Sequence, residues 1–342
     1  MTGTPTGGGI AVGPEDRSPQ RESVLAALLA EFESRWPAGA TGLAGMHRYA
    51  ITPPGKLVRP QLVVWSALAV GGELARALPV ALGFEAVHTG SLLHDDLIDR
   101  DDVRRARPAV HAAFGAAQAI IAGNALFFEW FVALDRAARH GAPAEVIVAV
   151  LREQAAAGAA VCHGALAELE LSGAPDQPVE AYLAMARAKT AVLTRAACVV
   201  GALLGGAGAA ETASLADFGE FYGMAFQIRD DLLPYVPPGD PAGGGAGKPA
   251  DSDLRNRRPA LPLLLAWEHA GDDARARLRR AMDEDDPAAA AAQVRAVLDE
   301  TGALRRARLL GDEYLLRARR ALTALPAGCA RTELAAMTHH IA

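Results

Sequence analysis

Apolar residues recur along the chain at spacings of three and four, between short breaks of Gly and Pro. That is the period of a helix with one buried face. The pattern predicts helices at about Arg21–Trp36, Arg59–Ala69, Leu74–Leu97, Ala109–His140, Pro143–Ser172, Val179–Leu204 and Ala210–Leu233. Further helices are predicted at Pro262–His269, Asp272–Met282, Pro287–Glu300, Ala303–Leu325 and Ala330–His340. No stretch alternates convincingly like a strand, and no segment repeats at the roughly 20 to 50 residues of a solenoid. Connections are short except "PYVPPGDPAGGGAGKPADSDLRNRRP", Pro234 to Pro259, which is rich in Gly, Pro and charge. A loop that long in a compact helical chain is as a rule functional or disordered.

Composition strengthens the all-α reading. Apolar residues make up 51% of the 342 and aromatics only 5%, and much of the apolar share is the strong helix formers Ala and Leu. The first 20 residues, "MTGTPTGGGIAVGPEDRSPQ", lack a basic stretch followed by an apolar one and are expected to be a disordered leader. Residues 21–342 are expected to form a single all-α domain. The run Ala119–Leu134 is shorter than the ~20 residues of a bilayer span and contains Glu129, so it is expected to be a buried helix and not a transmembrane segment. With 34 basic and 40 acidic side chains, net charge −6, the chain has no electrostatic footprint for nucleic acid. Cys162, Cys198 and Cys329 are odd in number and lack CxxC spacing, which predicts neither disulfides nor zinc and points to the reducing cytoplasm.

Local charge changes the picture. "SLLHDDLIDRDDVRRARP", Ser91 to Pro108, holds Asp95, Asp96, Asp99, Asp101 and Asp102, followed by Arg104, Arg105 and Arg107. Each helical residue advances about 100°, so Asp95 and Asp99 share a face with Asp96 beside them. Carboxylates that close repel unless a cation neutralises them. A hard-oxygen donor set of this kind suits Mg²⁺ completed by water and phosphate oxygens. A solvated acidic helix end would carry the same residues, but the apolar "HTGSLLH" before them places them inside a helix with buried faces. A second acidic pair, Asp230 and Asp231 in "FQIRDDLLP", again ends an apolar helix, with Gln227 one turn before Asp231. Two such ends facing each other would hold a metal-bound polyphosphate, and Arg104, Arg105, Lys189 and Lys248 are the cations such a ligand needs. In "PPGKLVRPQL", Lys56 and Arg59 lie three apart beside Pro60, and His88 is seven residues before Asp95, near the same face. They suggest a second anion site that uses no metal; a basic helix start with ordinary surface contacts is the alternative.

The ordered set "GKLVRP", "HTGSLLHDDLIDRDDVRR", "KT", "FQIRDDLL", "GKP" and "LRNRRPALPLLLA", from about Gly55 to Trp267, resembles the trans-isoprenyl diphosphate synthases of the polyprenyl synthetase family. The resemblance implies helices around one deep cavity, in a homodimer, and head-to-tail elongation of an allylic diphosphate by isopentenyl diphosphate. It implies that Asp95, Asp96, Asp99, Asp230 and Asp231 hold Mg²⁺. Arg104, Lys189, Lys248 and Arg258 would clamp the allylic diphosphate, and Lys56, Arg59, His88 and Arg105 would bind isopentenyl diphosphate. Thr190 and Gln227 would line the reacting carbons. Pro234 replaces the last acid of the second motif, Arg258 a frequent Lys, Ala165 and Glu168 a Gln and an Asp, and Asn124 a frequent Asp. A terpene cyclase of the same fold and a non-catalytic partner subunit are the alternatives, and the intact isopentenyl diphosphate set disfavours the first. Gly90, five before Asp95, leaves no bulky tunnel floor there, so growth is expected to pass farnesyl. One or two of Phe84, Phe127, Phe128, Trp130 and Phe131 would then stop it, with geranylgeranyl diphosphate as the expected product and farnesyl or geranylfarnesyl diphosphate as the alternatives.

Overall fold

The computed structural model describes residues 18–173, 176–235, 258, 260–284 and 286–341. Helix α1 (Pro19–Arg35) starts two residues before the pattern predicts, because the Ser18 hydroxyl caps it, accepting from the Arg21 N–H at 3.2 Å. A short helix, α2 (Gly42–Ile51), was not anticipated. It is held by tertiary contact, with His47 and Ile51 buried and the His47 ring 3.2 Å from the Ala122 carbonyl. Next come α3 (Val58–Ala69) and α4 (Leu74–Asp99), the latter two residues longer than expected and stopped by Arg100 in the left-handed region. A two-residue hairpin follows, β1 (Val103–Arg104) against β2 (Arg107–Pro108), which no alternation in the sequence announces. The helix expected over Ala109–His140 is two, α5 (Val110–Phe114) and α6 (Ala116–Arg139). Gly115, at φ 107°, breaks it in a backbone region that favours glycine.

After α7 (Ala144–Leu171), the segment predicted as one helix over Val179–Leu204 is α8 (Val179–Ala186), a π turn at Arg187–Ala191, and α9 (Val192–Gly205). Helix α10 (Ala209–Leu232) runs into a 3₁₀ turn at Leu233–Tyr235 that contains Pro234. The rest is α11 (Leu261–His269), α12 (Asp272–Met282), α13 (Pro287–Thr301), α14 (Ala303–Ala321) and α15 (Cys329–Met337).

Helix α3 is buried on all sides, with Leu62, Val63, Val64 and Trp65 inaccessible, as expected of a helix apolar all round. It packs on α4 and α9; α10 packs on α9 and α14, and α4 lies along α6. Several close approaches need glycine. A Cβ at Gly164 of α7 would stand 2.7 Å from the Ala188 carbonyl carbon, in the π turn. A Cβ at Gly90 would meet the Gly123 carbonyl of α6 at 2.8 Å.

Helix α6 corrects the expectation of a buried helix at Ala119–Leu134. One face packs on α4 through Ala119, Leu126 and Trp130, while Ile120, Ile121, Phe128, Phe131 and Val132 stand exposed, Phe128 at 64%. The residues are apolar on both faces, but among the described residues only one face is covered. By length and composition α6 and α7 would each suffice to cross a membrane. In α6, however, Glu129 is buried and ion-paired with Arg35 of α1, whose Nε donates to it at 2.8 Å.

Gly164→Ala is expected to push α7 off the π turn, at the ~1–3 kcal/mol typical of overpacking. Calorimetry should record a lower Tm for it than for Gly271→Ala, where no atom lies within 4 Å of the added methyl and φ is −74°.

Candidate active site

The end of α4 carries Asp95, Asp96 and Asp99 into the interior. Asp96 and Asp99 are buried and Asp95 is half-buried. Burial of carboxylates requires partners, and the structure supplies bases from three other segments. Arg104, in β1, lies bidentate on Asp96: its Nε donates at 2.7 and 2.8 Å and its Nη2 at 2.5 Å. Arg258, just before α11, pairs with Asp99. Lys189, in the π turn, donates to Glu168 of α7 at 2.5 Å and lies 3.7 Å from Asp95. Burial lowers the proton affinity of Lys189, but the charges of Asp95 and Glu168 outweigh it and hold its pKa above the ordinary value.

The aim of Arg104 depends on backbone strain. Arg105 and Ala106, at φ 51° and 59°, are the centre of the hairpin turn, where residues other than Gly, Asn and Asp are uncommon. Residues held in this region cluster at functional sites. The π turn under Lys189 and Thr190 is another such irregularity.

On α10, Asp231 is buried and Asp230 exposed. The Thr190 hydroxyl donates to Gln227 Oε1 at 2.6 Å, and Gln227 Nε2 donates to Asp231 Oδ1 at 2.9 Å. The Leu261 N–H donates to Asp231 Oδ2 at 2.8 Å. This chain ties the π turn, α10 and α11 together. Arg258 reaches Asp99 and, three residues on, Leu261 reaches Asp231, so the two acid-bearing helix ends face each other across one short segment. The five carboxylates are all-oxygen donors, the chemistry of a hard divalent cation. Among the described residues no three acids converge closely enough to hold an ion unaided, so the set fits a metal that brings further oxygen ligands. Lys248 lies outside the described residues.

A second basic cluster adjoins the first. Arg59, in the first turn of α3, is buried; Lys56 is exposed just before that helix. Arg105 donates to the Pro53 carbonyl at 2.9 Å, and its guanidinium lies where a Cβ on Gly55 would meet it at 3.2 Å. His88 is held well below its ordinary pKa, first by burial and then by the charges of Arg59, Arg105 and Arg104, so its imidazole is neutral near pH 7. Arg59, Arg105 and His88 are thus together, with the Lys56 segment beside them.

Two residues were missed from the sequence. Glu85 is buried one turn before His88; burial raises its pKa, against the pull of Arg59 and Arg105. A charge in the middle of the apolar "VALGFEAVH", three residues before His88, was the signal available. Tyr182, fully buried, has its pKa raised well above the ordinary value by burial and by the neighbouring charge of Asp231. Nothing in the local sequence of α8 marks it.

The sequence pattern of the polyprenyl synthetase family matches residues 41–301. A short chain isoprenyl diphosphate synthase of Methanothermobacter thermautotrophicus is 34% identical over 287 residues, 84% of this chain and 86% of that protein. The crystal structure of geranylgeranyl pyrophosphate synthetase from Pyrococcus horikoshii superposes with a TM-score of 0.84 at 30% identity, covering 94% of this chain and 95% of that one. A polyprenyl synthase from Caulobacter crescentus, complexed with calcium and isoprenyl diphosphate, gives 0.83 at 29% identity over the same shares. The architecture is therefore the all-α isoprenoid synthase fold, as the resemblance implied. The chain belongs to the polyprenyl synthetase family and is an isoprenyl diphosphate synthase, a prenyltransferase that makes trans-prenyl diphosphates.

Proposed function

We propose that the protein condenses isopentenyl diphosphate head to tail with an allylic diphosphate, using Mg²⁺, and releases geranylgeranyl diphosphate. The observation that carries this reading is the pairing of two unlike anion sites. One combines buried carboxylates with Arg104, Lys189 and Arg258; beside it, Arg59, Arg105, Lys56 and neutral His88 form the other. A metal-bound diphosphate suits the first and a metal-free diphosphate the second.

In this reading Asp95, Asp96, Asp99 and Asp230 hold Mg²⁺, and Asp231 acts chiefly by positioning Gln227 and α11. Bound Mg²⁺ supplies positive charge against the leaving group. Arg104, Lys189, Arg258 and Lys248 bind the pyrophosphate oxygens as the allylic C–O bond breaks and its electron pair departs with them. The apolar helices exclude water from the allylic cation. Lys56, Arg59, His88 and Arg105 hold isopentenyl diphosphate so that its alkene forms the new C–C bond, and the proton then lost goes to pyrophosphate. Thr190 and Gln227 flank the reacting carbons. Cys162, Cys198 and Cys329 are all free thiols, which fits the cytoplasm.

Gly90 is not beside open space, as its small size suggested. A Cβ there would stand 3.0 Å from the Phe127 ring, which also packs edge-on against His94 at 5.3 Å. The ring on α6 occupies the place that a bulky residue at position 90 would fill, and in our reading it limits product length. Phe84 is fully buried and edge-on to Trp130, a packing role. Phe128 and Phe131 point outward, which corrects their candidacy as tunnel floor and, with Ile121, supports α6 as the seam between two copies of the chain.

Incubation with Mg²⁺, isopentenyl diphosphate and dimethylallyl, geranyl or farnesyl diphosphate should give a C20 product by mass spectrometry; no elongation with any starter would refute the reading. Asp95→Ala should lower kcat/KM about a hundredfold or more, the scale of a lost electrostatic contact in the transition state. Only a small change in Tm should accompany it. Phe127→Ala should shift the product beyond C20 in the same assay, whereas Phe84→Ala should mainly reduce stability, by about 3–5 kcal/mol. Light scattering should give a dimer for the wild type and a monomer for Phe128→Glu combined with Phe131→Glu.

A further inference from the structure

Helix α14 carries six arginines, Arg305, Arg306, Arg308, Arg317, Arg319 and Arg320, against two acids, Asp312 and Glu313. Six minus two leaves four positive charges on one helix of a chain whose net charge is −6. Two of the arginines are engaged: Arg317 lies over the Phe221 ring at 4.1 Å, and Arg319 donates through Nε to the Thr338 hydroxyl at 2.7 Å. Arg305, Arg306, Arg308 and Arg320 are exposed, and among the described residues no carboxylate lies within ion-pairing distance of them. In other helices arginines and acids four apart do pair, Arg139 with Asp135, Arg277 with Asp273 and Arg295 with Asp299. Arg308 and Asp312, also four apart, do not.

Between these bases α14 exposes apolar surface. Leu309 is 60% exposed and Leu316 47%. Seven residues turn a helix by about 700°, so the two leucines share one stripe, with Arg305 four residues before the first and Arg320 four after the second. Asp312 and Glu313 flank that stripe on either side. Contacts with α10 fix where the bases lie. The Ser214 hydroxyl, near the start of α10, donates to the Ala321 carbonyl at 2.5 Å, and a Cβ on Gly311 would stand 3.4 Å from Cγ2 of Ile228. Helix α14 therefore runs antiparallel to α10. Asp231 is three residues on from Ile228 and Arg308 three back from Gly311, so at about 1.5 Å per residue the two are level. Arg305 and Arg306 lie further out, at the acid-bearing end of α10.

We propose that the outer face of α14 docks on an anionic lipid bilayer and sets the acid-bearing end of the active site against the headgroups. Leu309 and Leu316 enter the boundary of the acyl chains, while the four unpaired guanidiniums reach lipid phosphates along their own apolar stems. An acidic protein would also satisfy the arginines. The leucines between them favour the bilayer, and so does the proposed reaction, whose product is itself a lipid with a long apolar tail and a diphosphate head.

Co-sedimentation of the full chain with vesicles tests this. In low salt the wild type should pellet with vesicles of equal parts phosphatidylcholine and phosphatidylglycerol, stay in solution with phosphatidylcholine alone, and be released as salt screens the charges. Arg305→Glu combined with Arg320→Glu should lower the partition coefficient at least about tenfold, since each base near an anionic surface is worth about fivefold. Leu309→Ser combined with Leu316→Ser should lower it about fivefold or more. Arg139→Glu combined with Arg152→Glu, the same change of charge on exposed positions of α6 and α7, should leave it within about twofold. Both α14 variants alter exposed side chains only and should elongate prenyl diphosphates in lipid-free buffer as the wild type does. No binding to the mixed vesicles, unchanged binding of either α14 variant, or an equal loss in the α6 and α7 variant overturns the proposal. So does a chain that ignores the vesicles but binds polyglutamate through Arg305 and Arg320, which would assign the face to an acidic protein. Elongation without vesicle binding sinks the docking surface alone; vesicle binding by a chain that elongates no starter refutes the proposed reaction and leaves the surface standing.

Discussion

The bidentate grip of Arg104 on Asp96 is the contact on which the arrangement of this protein depends, because it lets a helix carry carboxylates into its interior. An ionised carboxylate taken out of water demands a partner of opposite charge in good geometry. Helix α4 delivers three such groups at one end, so the chain must deliver bases to the same place from elsewhere. It does so from the hairpin after α4, the π turn after α8 and the segment before α11. Each of these segments departs from regular secondary structure, and each departure sits where a straight helix would point its side chain elsewhere.

The scaffold fixes those irregular pieces through close contacts and not through their own propensity. Gly164 allows α7 to lie against the backbone of the π turn, which brings Glu168 to Lys189. The Thr190, Gln227, Asp231 and Leu261 chain then joins that turn to α10 and α11. The neighbouring basic cluster is built on a different principle. There burial first, and then the charges of Arg59 and Arg105, keep His88 neutral, and the buried Glu85 stands beside those charges. One site is rich in both signs of charge and the other mostly in one.

Helix α6 serves both sides of the molecule. Its inner face closes on α4 so tightly that Gly90 and Gly123 meet across it, and Phe127 fits beside them near the acid-bearing end. Its outer face is a row of exposed apolar side chains including Ile121, Phe128 and Phe131.

By itself the sequence determined the helical class, most helix positions and the residue types of the site. Periodicity reports which face of a helix is apolar, and acids at three- and four-residue spacing report one shared face. The shared face of Asp95, Asp96 and Asp99 was legible that way; Arg104, Lys189 and the Asp230 and Asp231 pair entered as the charges a polyphosphate would need, and the order of motifs led to the family. Helix α2, the break at Gly115, the hairpin and the π turn were not, because their conformations are set by what packs on them. The burial of Glu85 and Tyr182 beside the charges of the site was hidden for the same reason. Gly90 reads as an empty place and is a helix contact; Phe128 reads as core and is surface. A one-dimensional pattern encodes burial only as an average over a face, while the identity of the opposing atoms comes from residues tens to hundreds of positions away. Only the folded chain brings those atoms together, and with them the pairing of each buried acid to its base.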